Sequence, residues 1–248
     1  MKILVLALTL LCLGIRVEAQ KKRGSLYGLV AVVDPGHGGT DPGSFRVFKG
    51  ERVTESEYVY DVSLRVARLI RERAGLALIT IKGGGERDLP ADKILVGDHQ
   101  ERFATDNTVV KAGTVGLQKR LDFGNATKHR YPKHSIVWLS IHFDVVGDLS
   151  SVEGVRIIAA DTSSRLAQAL ERSFRSAKRL RDQAPLVSSG DRVHGIRHLY
   201  VLGPKNEIKE KVLIELGNFL NDADLWRIRD PEVRERYART IVDALEKR

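Results

Sequence analysis

Short apolar runs rich in β-branched residues alternate along this chain with stretches whose apolar positions recur every three or four residues. The runs Leu29–Asp34, Leu76–Ile81, Ile136–His142, Val155–Ala159, His198–Leu202 and Val212–Leu216 predict strands. The spacing over Glu55–Arg73, Ser163–Arg181 and Pro231–Glu246 predicts helices. Strands that are apolar at nearly every position are buried on both faces. Their alternation with helices predicts an α/β fold, a single domain whose mostly parallel or mixed central sheet of about six strands is flanked by helices on both faces.

Three stretches break the pattern. Residues 1–19 read as an export signal: Lys2, an apolar run from Ile3 to Ile15, then the small-x-small site Val17-Glu18-Ala19. That run is short for a membrane span. Export would leave residues 20–248 as the working domain, in the periplasm or outside the cell. Residues 83–134 open on Gly83-Gly84-Gly85, are strongly polar and show no clear period. So long a connection predicts a surface excursion, serving as a lid or substrate wall. Residues Gln183 to Gly195 predict a second loop.

Composition narrows the function. Cys12 is the one cysteine and falls in the signal, so disulfides play no part after cleavage. The formal charge of +9 suits an acidic or anionic partner. The basic residues are spread along helix faces rather than clustered, and aromatics are only 6%, which argues against a nucleic-acid binder. The glycine-rich turn after the first strand, Gly36-His37-Gly38-Gly39, lacks the G-x-G-x-x-G spacing and Pro42 follows closely, which argues against a nucleotide cofactor.

The turn carries an imidazole instead. Glycines let the backbone fold tightly enough to aim His37 into a cleft at the strand's carboxyl end. A second histidine, His142, ends the apolar run Ile136–Ile141, and Glu215 ends Val212–Ile214. Strand ends of this kind converge on one rim of a parallel sheet. A carboxylate partner should come from the start of the first helix, where Glu51, Glu55 and Glu57 compete. Thr54 and Glu57 match a capping box, and Glu51 precedes the helix. Glu55 extends the inward stripe Tyr58, Val62, Val66 and Leu69, so it is the better ligand candidate. The remaining histidines, His99, His129, His134, His194 and His198, read as surface or structural, with His194 a candidate for the cleft.

Val33-Asp34-Pro35-Gly36-His37-Gly38-Gly39 with Asp41-Pro42-Gly43, Glu55, Ser140-Ile141-His142 and Val212-Leu213-Ile214-Glu215-Leu216-Gly217 resemble the zinc-dependent N-acetylmuramoyl-L-alanine amidases of the amidase-3 family. The resemblance spans nearly all of residues 20–248. It implies one zinc ion held by His37, Glu55 and His142, with Glu215 as the catalytic carboxylate. It implies peptidoglycan as substrate, cut at the amide between muramic acid and L-alanine. It leaves an activating protein partner open. Where many members continue Ala-Asn-Ala after the second histidine, this chain has Phe143-Asp144-Val145, which makes Asp144 a candidate for substrate binding.

Two imidazoles, a carboxylate and one open position form a known pattern for catalytic zinc. No protein nucleophile is needed, and no serine sits in a G-x-S-x-G elbow. Two other readings use the same residues: a zinc peptidase or amidase acting on a different acylated peptide, and a catalytically silent wall-binding protein. The second is disfavoured because every expected metal and catalytic position is filled.

Overall fold

Six strands build the central sheet of this computed structural model, in the order Leu76–Ile79, Leu29–Pro35, Ser135–His142, Glu210–Glu215, Arg156–Ala159 and Leu186–Ser189. They are β1 (Leu29–Pro35), β4 (Leu76–Ile79), β7 (Ser135–His142), β8 (Arg156–Ala159), β9 (Leu186–Ser189) and β10 (Glu210–Glu215). The structure describes residues 24–48, 50–83, 89–95, 99–143, 151–161, 163–177, 186–189 and 199–248. The expected signal segment lies outside them. β4, β1, β7 and β10 run parallel, β8 pairs antiparallel with β10, and β9 follows β8 in parallel.

Alternate residues of each strand feed two cores. Ala31, Val33, Val137, Leu139, Ile141, Val212 and Ile214 face a layer of three helices, α1 (Glu55–Glu72), α3 (Arg165–Ser176) and α5 (Pro231–Lys247). Val32, Trp138 and Leu213 face the other side, where they meet α2 (Thr114–Arg130) and a 3-10 turn at Tyr200–Leu202. Both faces are therefore dry, which is why the strands read as continuous apolar runs. A further short helix, α4 (Asp222–Arg229), starts at Asn221, whose side chain accepts from the N–H groups of Ala223 and Asp224.

Four expectations need correction. His198–Leu202 is no strand: Tyr200–Leu202 makes the 3-10 turn, burying Val201 and Leu202 on the second face, and His198 lies outside the described residues. The edge strand β9 comes from inside the expected loop Gln183 to Gly195. The excursion is not without regular structure. It contributes the 17-residue helix α2, and β6 (Arg102–Phe103) pairs with β5 (Ile81–Lys82). The capping box does not form: Thr54 makes no side-chain cap. A hairpin of β2 (Phe45–Phe48) and β3 (Glu51–Thr54) leads straight into α1. It brings the carbonyls of Ser44 and Pro42 over the helix start, where they accept from the N–H groups of Glu55 (2.8 Å) and Ser56 (3.1 Å). Glu51 precedes the helix as expected, as the first residue of β3.

Candidate metal centre

Parallel neighbours end on the same rim, so topology alone gathers the candidate residues. His37 follows β1, His142 ends β7, and Glu215 ends β10. Glu215 stands opposite His142 in the β10–β7 register. Glu55 is the first residue of α1, set there by the hairpin that precedes it. His37, Glu55 and His142 come together, each offering one ligand atom, with all three atoms within 4.8 Å of one another.

The Glu55 carboxylate is the centre of the group. Its Oε1 lies 3.3 Å from His37 Nε2 and 3.2 Å from His142 Nδ1. The same oxygen accepts from the backbone N–H of Phe143 at 2.9 Å, and Oε2 accepts from that of Ser44 at 2.9 Å. These two amides fix the carboxylate's orientation, as partners of a ligating group do. On the far side of the His37 ring, Nδ1 lies 3.0 Å from Asp41 Oδ2. The two imidazoles meet edge to face, with ring centroids 5.1 Å apart.

Two glycines make this packing feasible. A Cβ on Gly36 would sit 2.1 Å from the His142 ring. A Cβ on Gly43 would sit 2.6 Å from Glu55 Oε2 and 2.7 Å from His37, and its φ of +64° is left-handed as well. The glycine-rich loop is therefore what lets two imidazoles and a carboxylate crowd one point.

The electrostatics fit a cation. Burial works against a charged His37, but the Glu55 charge and Asp41 outweigh it and push its pKa up to about 10. Burial also opposes charge on His142, and its hydrogen bond to the Glu55 carboxylate and the charge of Glu215 reverse that and raise it. Glu55 itself would be raised by burial, yet His37 and His142 hold it well below the usual carboxylate range. Three carboxylates around two imidazoles thus favour positive charge at the centre, which protons or a divalent metal can supply. Two nitrogens and a carboxylate oxygen are the donor set that zinc takes.

Residues 31–247 match the family described as N-acetylmuramoyl-L-alanine amidase. The chain belongs to this amidase family. A relative named as an uncharacterized cell wall amidase of Bacillus anthracis is 27% identical over 231 residues, covering 90% of this chain and 36% of its own length. The amidase domain here therefore spans about a third of that relative. The fold matches N-acetylmuramoyl-L-alanine amidase AmiC2 of Nostoc punctiforme with a TM-score of 0.60 at 20% identity, over 89% of this chain and 96% of that one. It also matches the CwlD amidase of Clostridioides difficile, solved in complex with the GerS lipoprotein, with a TM-score of 0.57 at 18% identity over 88% and 95% of the two chains.

Other expectations about this amidase site fall elsewhere. Asp144 and His194 lie outside the described residues. Phe143 is buried against Phe219 with ring centroids 5.1 Å apart. His99, expected to be surface or structural, is exposed, with its Nδ1 3.0 Å from the Gly39 carbonyl on the His37 loop. His129 and His134 line a cavity of about 350 Å³ with Ile136 and Glu207, near the start of β7 and so at the opposite end of that strand from His142. Asp41 enters the sequence reading only as part of the motif Asp41-Pro42-Gly43, because nothing in such a run distinguishes a partner of His37 from a turn residue.

Proposed function

We propose that this chain is a zinc-dependent N-acetylmuramoyl-L-alanine amidase that hydrolyses the bond between the lactyl carbonyl of muramic acid and the amine of L-alanine in peptidoglycan. The observation that carries the reading is the convergence of His37, Glu55 and His142, from a loop, a helix start and a strand end, with their ligand atoms within 4.8 Å. In this reading those three residues hold the zinc. When bound, the metal polarises the scissile carbonyl and makes its water acidic enough to deprotonate near neutral pH.

The chain's own residues do the rest. Glu215, buried at the end of β10 and in register with His142, takes the water's proton and passes it to the nitrogen of the leaving alanine. The C–N bond breaks, and the products are a lactyl carboxylate and a stem peptide with a free amine. Asp41 and the amides of Ser44 and Phe143 keep His37 and Glu55 in place. Residues 1–19 would carry the enzyme across a membrane to the wall, in the periplasm or outside the cell. The C. difficile relative solved with a lipoprotein supports extending the proposal to an activating protein partner.

The test is direct. Residues 20–248 and the Glu215→Ala variant are incubated with purified peptidoglycan, with and without a chelator, and released peptides are read by mass spectrometry. The reading expects peptides beginning with a free L-alanine, absent in the variant and with chelator, and restored by zinc. Release of peptides cut within the stem would replace it by the zinc-peptidase alternative. Wild type that holds zinc and releases nothing, alone or with a partner, would sink the amidase reading.

A further inference from the structure

Asp34 is a carboxylate buried three residues before His37, and its partners come from the two neighbouring strands and from α2. Its Oδ1 accepts from Thr80 Oγ1 at 2.6 Å and from Arg120 Nη1 at 2.7 Å, and its Oδ2 accepts from Ser140 Oγ at 2.8 Å. Thr80 follows β4. Ser140 lies in β7, pairs with Asp34 in the register, and stands two residues before His142. One carboxylate therefore ties the ends of three neighbouring strands. Its counter-ion comes from α2, where Arg120 is buried and also donates to the carbonyl of Pro35 and approaches Thr80 Oγ1 at 3.4 Å.

Pro35 leads directly into the glycine on which the site depends. The Gly36 N–H donates to the Ile141 carbonyl at 2.9 Å, and the His142 ring fills the space that a Cβ on this residue would take. A shift of Pro35 and Gly36 therefore moves His37 and crowds His142 together. The same stretch of chain holds the other side of the loop. The Gly39 N–H donates to Glu101 Oε2 at 2.8 Å, the Thr40 N–H donates to the Val110 carbonyl at 3.0 Å, and His99 meets the Gly39 carbonyl. His37 is thus suspended between two anchors, both supplied by residues 99–120.

We propose that Arg120 is a positioning residue for the metal centre, fixing through Asp34 and the Pro35 carbonyl the spacing at which His37 and His142 can share one ion. The inference rests on the metal-site reading above. A counter-ion with a merely structural role would lower thermal stability and leave metal affinity alone in protein that is still folded. A positioning residue lowers the affinity itself, in the way that partners of metal ligands do, by roughly 10–100-fold.

The experiment measures zinc affinity by competition with a chromophoric chelator, well below the unfolding temperature of each metal-free protein. The variants are Arg120→Met, Arg120→Lys, and Arg120→Met combined with Asp34→Asn, which leaves no unpaired buried charge. The double variant should regain stability relative to Arg120→Met yet bind zinc roughly 10–100-fold more weakly than wild type. Arg120→Lys should keep most of the stability, because an ammonium near Asp34 still meets its charge, and remain several-fold weaker for zinc, because every contact is made from Nη1 at the tip of the arginine and the shorter lysine falls short of the Pro35 carbonyl. Zinc affinity within about threefold of wild type in the double variant or in Arg120→Lys overturns the proposal, that being well short of the usual loss. Weaker zinc binding in the variants supports it even where wild type releases no stem peptide, so the two readings fail separately. A wild type that takes up no zinc overturns both.

Discussion

Glu215 and Glu55 are both buried carboxylates at the rim, and the structure separates them. Glu55 touches both imidazoles, whereas Glu215 acts on His142 through its charge from the neighbouring strand. Their substitutions should therefore differ in kind. Glu215→Gln should keep zinc at one per chain and lose about 10²–10⁴-fold in kcat, the range for a lost general base. Glu55→Gln should lose zinc. Metal content after dialysis, set beside peptide release, separates the two, and a Glu215→Gln protein without zinc would make Glu215 a ligand. Gly36→Ala makes a sharper point, because its new methyl falls on the His142 ring itself. It should yield folded protein with little bound zinc, and full zinc occupancy would show that the ring has somewhere else to go. His37, Glu55, His142 and Glu215 were legible because each sits in the glycine turn after an apolar run, ends such a run or extends an inward stripe. Arg120 was not, because a lone arginine among Lys119, Asp122 and Lys128 looks like a wet helix face until Asp34 is seen beneath it.

At the scale of elements, β1, β4, β7, β8 and β10 and the helices α1, α3 and α5 are marked by their apolar patterns, while α2 is not. Its sequence carries two glycines and few apolar residues, and only Leu121 is a fully buried large side chain. The hairpin of β2 and β3 was hidden for the opposite reason: Phe45 and Val47 are exposed, so no inward pattern marks it. The short apolar stretch at Tyr200–Leu202 shows why such runs are ambiguous, since burying two side chains needs only a turn. What locks the helical layer is a single buried arginine. Arg234 donates from Nε to Asp61 at 2.6 Å, from Nη1 to the carbonyls of Ile228 and Arg229, and from Nη2 to those of Pro90 and Asp92. All of its guanidinium N–H groups are used, and they join α1, the end of α4 and residues 90–92. Arg234→Met should cost about 3–5 kcal/mol, the loss expected when one partner of a buried pair is removed. Urea unfolding of the metal-free protein measures it, and a change under about 1 kcal/mol would mean that Arg65, which also pairs with Asp61, carries the load.

For the whole molecule, the metal centre is a cross-link between distant parts of the sequence. His37, Glu55 and His142 belong to a loop, a helix and a strand that already share backbone hydrogen bonds at the rim, and an ion would tie all three at one point. An ion that binds the native arrangement and not the unfolded chain stabilises by RT ln(1 + [L]/Kd), which is about 2.7 kcal/mol at a hundredfold excess over Kd. A domain of this size gains roughly 2–4 °C in Tm per kcal/mol. Zinc at that excess should therefore raise Tm by roughly 5–11 °C, and chelation should reverse it. The same shift should persist in Glu215→Gln, whose ligands are intact, and vanish in His37→Ala. Calorimetry with and without zinc on these three proteins reads the site without any substrate. A zinc shift retained by His37→Ala would mean that the ion binds elsewhere. A shift lost in Glu215→Gln would place that carboxylate among the ligands, and the proton transfer assigned to it would need another base.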